Sequence, residues 1–192
     1  MRDRPQAGVI CVLGDAHLDV IVGIAGPVAP DTDTPAQTRV TAGGQAANVA
    51  AWVCALGGRS RLVAALADDA AAGLVAADLA ARGVDLVGPV IAGHTGVVVS
   101  LSARGSDRSM LTDRGVGPLL TEATIAPNWL DGCSWLHLPA YSLTSQPVQA
   151  AAMAAARFAR TVGAAERRSV VDRGHHRLRL RRLRRPLAQP QT

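Results

Sequence analysis

Short apolar runs alternate with alanine-rich stretches that stop at glycine, and this alternation leaves few folds open. Val9–Leu13 is a continuous apolar run, partly β-branched, that ends on Gly14-Asp15. That is the pattern of a strand buried on both faces of a parallel sheet. Arg61–Leu66 and Cys133–Leu138 read as further strands. Between these runs, Ala46–Leu56 closes on Gly57-Gly58 and Ala70–Arg82 closes on Gly83, as helices with glycine stops do. Pro147–Thr161 is a third alanine-rich helix, with proline near its first turn. Strands alternating with helices predict an α/β fold, a mostly parallel sheet with flanking helices. Four short segments break the rhythm: Val20–Ile24, Arg39–Thr41, Gly96–Ser102 and Ser109–Leu111, the last two around a turn at 104–107. Some of them are expected to form a small separate β-layer, and 26–38, which holds three prolines, reads as a loop.

The chain is long enough, at 192 residues, for one domain with a real core. It is 48% hydrophobic and 18% charged, which excludes a disordered chain. Only 3% of residues are aromatic, so the core must be built from Ala, Val and Leu. The net charge of +5 suggests a nucleic-acid partner until its distribution is read. All 20 basic residues are arginine, and nine of them lie in 167–192 against one acid, Asp172. The preceding 166 residues carry 11 arginines against 14 acids, so the body is mildly acidic. Cys11, Cys54 and Cys133 sit in apolar stretches without metal-ligand spacing, which points to reduced buried thiols and a cytoplasmic location. No stretch approaches the ~20 apolar residues of a membrane span. The apolar run after Arg2 and Arg4 is too short for a secretory signal.

The segment richest in chemistry is Thr41–Ala50, TAGGQAANVA. Gly43 and Gly44 let the backbone approach a ligand without Cβ interference. The helix after them is expected to point free N–H groups and its positive end at the same place. Asn48, in its first turns, offers a donor and an acceptor to a hydroxyl. Alone, this is an ordinary strand-turn-helix. It is preceded, however, by Gly14-Asp15-Ala16-His17-Leu18-Asp19 at the end of the first strand, where ligands bind in α/β sheets. Asp19 can accept hydrogen bonds from a vicinal diol, or stand as a solvated turn acid.

The order GDAHLD, AGGQAANVA, ALGG, ADDAAAG, GVD and HTGVVV resembles the N-terminal half of the ribokinase-like (PfkB) carbohydrate kinase family, over residues 8 to about 165. The resemblance implies an α/β/α sandwich with a small β lid over a sugar or nucleoside. It implies substrate-binding roles for Asp19, Gly43, Gly44 and Asn48. It adds His17, which stands where ribokinases carry Asn, and Tyr141, in the segment that closes the sugar site and where ribokinases carry Glu. Gln45 likewise replaces a Lys. These departures argue against ribose and leave the sugar open. Arg114-Gly115-Val116-Gly117 is similar to an Arg-Gly-Ala-Asn run of relatives, with the Asn lost.

Intact relatives use ATP and Mg²⁺ to phosphorylate a hydroxyl, and the resemblance allows a homodimer through the lid. Their catalytic base and nucleotide site come from the C-terminal half, in an Asp-Thr-x-Gly-Ala-Gly-Asp run. No Gly-Ala-Gly-Asp occurs in these 192 residues, so no catalytic residue is assigned and the chain is expected to be truncated and inactive. Residues 1–165 are taken as the substrate-binding part. Residues 166–192 are taken as an Arg-rich tail, off-frame or disordered, with nucleic acid and membrane not expected as partners. The rival reading is a non-catalytic sugar-binding or regulatory module with a basic nucleic-acid-binding arm.

Overall fold

The computed structural model describes residues 8–103, 108–144 and 146–161 in full, and the backbone of 165–170 and 179–180. The turn expected at 104–107 and most of the arginine-rich segment lie outside the described residues.

The body is a six-stranded sheet built around β1 (Val9–Leu13). On one side β1 pairs in parallel with β4 (Arg59–Val63), which pairs with β5 (Asp85–Val87). On its other side it pairs in parallel with β8 (Cys133–Leu138). Beyond β8 comes β9 (Ala165–Val170), also parallel, and then the two-residue β10 (Arg179–Leu180), antiparallel. Thus Ala165–Val170 adds a strand where no strand alternation is legible in the sequence.

Cys11, Val12 and Leu13 are all fully buried, which is why the first run carries no polar residue. Their side chains alternate between two cores, as a pleated strand requires. Cys11 and Leu13 join Val63, Leu136 and Leu138 under α3 (Gln146–Thr161). Val12 joins Leu62 and Ala64 under α1 (Gln45–Ala55) and α2 (Ala70–Ala81). On α3 the buried positions are Val148, Ala151, Ala152, Ala155, Ala156 and Ala159, the three-and-four spacing of one helix face. The sheet is therefore covered on both sides, as the alternation predicts.

The four segments that broke the rhythm assemble into a second sheet, in the order β3-β2-β6-β7. Its strands are β2 (His17–Ile24), β3 (Ala36–Gly43), β6 (Thr95–Ala103) and β7 (Arg108–Gly115). All are longer than their apolar cores suggest. β2 starts at His17 rather than Val20, because it is paired along its length, antiparallel to β3 and parallel to β6. Conversely, the strand expected over Arg61–Leu66 ends its regular ladder at Val63 and continues through the Ala64 N–H bond to Val87 O, at 3.0 Å, and an isolated bridge at Leu66 to Val90.

Two carboxylates of α2 fasten this sheet to the body. Asp69 Oδ1 caps α2 through the Ala72 N–H, and its Oδ2 accepts from the Thr95 N–H that opens β6, both at 2.8 Å. Asp78 Oδ2 accepts from the Ala42 N–H at 2.6 Å and from the Thr41 hydroxyl at 2.9 Å on the edge strand β3. No helix among the described residues is long and apolar enough to cross a membrane.

Candidate functional site

A cavity of about 250 Å³ opens between the second sheet and the carboxyl ends of β1 and β8. This is where an α/β sheet places its ligands. The Gly14-Asp15 turn forms the floor. The Gly14 N–H donates to Val63 O at 3.1 Å. Ser142, 3% exposed, donates to Leu13 O at 3.0 Å and ties the segment after β8 against the same turn.

Asp15 changes one sequence expectation. The first amides of α1 are not free: Gln45 N–H and Ala46 N–H donate to the two Asp15 carboxylate oxygens, each at 3.1 Å, and Ala47 N–H donates to Asp15 O at 3.3 Å. The helix is capped by a carboxylate 30 residues upstream, which its own preceding residue, Gly44, cannot supply. Gly44 itself has φ of 108°, and a Cβ there would lie 2.5 Å from Asp15 O. Glycine is required at this position by both backbone conformation and space.

Asp19 projects from β2 into the cavity. Its carboxylate lies against Gly43, where any Cβ would collide with Cγ and both oxygens. Gly43 is thus the notch that admits the Asp19 side chain. Oδ1 is buried and accepts no hydrogen bond from the described residues. His17 Nε2 stands 3.0 Å from it, close enough for attraction but outside hydrogen-bonding alignment. A buried carboxylate oxygen without a donor is costly, and a ligand hydroxyl would supply one.

The other sequence-selected residues meet here. His17 and Gly44 line the cavity, Asn48 presents its carboxamide from the exposed side of α1, and Tyr141 enters from the turn after β8. Tyr141 N–H donates to Gln45 Oε1 at 3.3 Å, so Gln45 helps to place Tyr141. Gly43 is the one selected residue that acts from behind the wall.

Sequence reasoning missed the roof. Arg108, Met110, Thr112 and Arg114 of β7 line the cavity together with Val98 of β6. Asp19 pairs with Val98, and Val98 with Thr112, so these three form one row across the sheet. The alternation in Arg108-Ser-Met-Leu-Thr-Asp-Arg114 was the available signal, but a strand read only at 109–111 is too short to reveal it. The residues between them face away: Asp113 accepts from Gly115 N–H at 2.9 Å and lies 2.8 Å from His94 Nε2. The Gly115 amide and the His94 ring hold its carboxyl below the usual range.

Comparisons with known proteins agree with this architecture. The sequence pattern of the pfkB family carbohydrate kinase matches residues 9–171. A fructokinase of Escherichia coli is 29% identical over 157 residues, which is 80% of this chain and 48% of that protein. A putative ribokinase II from E. coli, solved in complex with ATP and Mg²⁺, superposes with a TM-score of 0.74 at 18% identity, over 84% of this chain and 52% of that one. Adenosine kinase from Sinorhizobium meliloti gives 0.70 at 21% identity, over 88% and 57%. The chain spans about half the length of the relatives it matches. Motif order, sheet topology and family match agree, and the chain belongs to the pfkB family of carbohydrate kinases.

Proposed function

We propose that residues 1–165 form the acceptor-binding part of an ATP-dependent kinase that phosphorylates a hydroxyl of a sugar or nucleoside. The observation that carries this is the Asp19 carboxylate, set into the Gly43 notch with a buried oxygen that accepts no hydrogen bond among the described residues, in a cavity that Asn48 also lines and a β lid roofs. Asp19 accepts from substrate hydroxyls. His17 and Asn48 complete the polar contacts, Gly44 lets the substrate approach the backbone, and Tyr141 packs over its edge. The lid excludes water from the reacting hydroxyl.

The described residues do not fit ATP and Mg²⁺ on their own. The N-terminal amides of α1, an anion site in many folds, are taken by Asp15, and those of α2 by Asp69. No three His, Cys, Asp or Glu side chains among the described residues are grouped to hold a metal. We therefore assign no phosphoryl-transfer step to this chain, and read the 192-residue form as binding sugar without turnover in the cytoplasm. The segment 166–192 is read as playing no part in the site, and any pairing of copies as occurring through the lid.

The test uses the purified 192-residue chain with ATP, Mg²⁺ and a panel of sugars and nucleosides, followed by calorimetry with the same panel. The expected result is saturable binding of at least one acceptor and no turnover above a protein-free blank. Turnover that survives removal of contaminating kinases would overturn the assignment of the chemistry elsewhere.

A further inference from the structure

The roof of the cavity carries two guanidinium groups that a neutral sugar does not require. Arg108 and Arg114 both line it from β7. Among the described residues, the arginines in ion pairs are Arg61, Arg82 and Arg157. Among the same residues, Arg108 and Arg114 have neutral partners instead. Arg108 Nε donates to Ser100 Oγ at 2.5 Å, and Ser100 is 3% exposed. The Arg114 guanidinium carbon lies 5.4 Å from the centroid of the Tyr141 ring, a cation–π contact.

The register fixes where the first of these charges sits. Ser100 pairs with Ile21 and Met110, whereas Asp19 pairs with Val98 and Val98 with Thr112. The Ser100 row is thus two residues along the sheet from the Asp19 row, about 7 Å at strand rise. By bonding Nε to Ser100, Arg108 folds back from its own row, that of Ser102, towards the Asp19 row, and among the described residues no other group engages its fork. The cavity is therefore two-ended. A carboxylate at one end suits hydroxyls. At the other stands a guanidinium, whose planar fork matches a carboxylate or phosphate. The remaining acid of the lining, Asp15, is committed to the amides of α1. Asp113 is committed to Gly115 and His94 on the other face.

We propose that the acceptor is an anionic sugar, a polyol bearing a carboxylate or phosphate about one ring length from the hydroxyls that Asp19 binds, with Arg108 holding the anionic group. This rests on the sugar-site reading given above and narrows it to a substrate class.

Calorimetry on the 192-residue chain without nucleotide, at low and at 0.5 M salt, tests it. Neutral probes are glucose, fructose and ribose. Their anionic counterparts are glucuronate for the carboxylate arm, and fructose 6-phosphate and ribose 5-phosphate for the phosphate arm. At least one anionic member should bind tenfold or more tighter than its neutral partner at low salt, and high salt should reduce that ratio. Arg108→Ala should remove the preference and Arg108→Lys restore part of it, with Arg59→Ala, on β4, as the control for net charge. Circular dichroism of each variant separates lost binding from lost fold. Equal binding of neutral and anionic partners would overturn this inference while leaving the sugar site standing. That result is expected if the guanidiniums serve a phosphate of the nucleotide instead. A preference that survives in Arg108→Ala would also overturn it. Binding of no member of either series would overturn the sugar site itself, and this inference with it.

Discussion

Replacing Asp15 with alanine strips the N-terminus of α1 of its cap, and the structure gives the cost. Two amide donors lose a charged acceptor 3.1 Å away. They are not equivalent. Gln45 is exposed, so its N–H is rehydrated and only the net value of a hydrogen bond is lost, about 1 kcal/mol. Ala46 is fully buried, so its N–H is stranded without water or partner, at about 1–3 kcal/mol. Removing the negative charge from the positive end of the helix adds ~0.3–1 kcal/mol. The expected loss is about 3 kcal/mol, a large share of the ~5–15 kcal/mol typical of a domain. Asp15→Asn keeps an acceptor for one amide and should lose about half as much. Urea unfolding of the parent and both variants, compared at equal slope, measures this. A loss under ~0.5 kcal/mol for Asp15→Ala, against the ~1 kcal/mol usual for an N-cap alone, would show that Asp15 does not carry the turn.

Gly43→Ala should leave circular dichroism unchanged but weaken sugar binding at least tenfold, because the new methyl expels the Asp19 carboxylate from its notch; unchanged affinity would show that Asp19 has another resting place. The hydrogen bonds of Thr95 N–H and then Ala72 N–H to Asp69 lower its carboxyl pKa. A lowered folded pKa contributes stability that is present above the unfolded value near 4 and lost as pH falls through the folded value. The urea midpoint of the parent should therefore fall between pH 5 and 3, and Asp69→Asn should flatten that fall; parallel curves would refute the link. Cys11 and Cys133 are buried while Cys54 is partly exposed, so a thiol reagent should modify one cysteine in the native chain and three in denaturant; fast modification of all three without denaturant would contradict the packing under α3.

The legible part of this fold was whatever depends on local pattern. The runs at Val9–Leu13 and Cys133–Leu138 are apolar at every buried position, and their bounds follow directly. The helices announce themselves through alanine and their glycine stops. The misplaced bounds belong to the lid, where hydrogen bonding between strands, rather than side-chain pattern, carries β2, paired on both sides, back to His17 and the edge strand β7, paired with β6, on to Gly115. The site was half legible for the same reason. Asp19, Gly43, Gly44 and Asn48 fall within two compact motifs. The Asp15 cap spans 30 residues, and the Ser100–Arg108 bond requires two strands to be aligned. Neither leaves a mark on any short window of sequence.

The central claim, that the cavity between the lid and the sheet is the sugar site, is tested most directly by calorimetry on four chains with the acceptor that binds best. These are the parent, Asp19→Ala, Asn48→Ala and the parent lacking 167–192. The account predicts that Asp19→Ala abolishes binding, that Asn48→Ala weakens it tenfold or more, and that the shortened chain binds like the parent. Unchanged binding in both point variants, with binding lost on removal of 167–192, would contradict it and move the site to the arginine-rich segment.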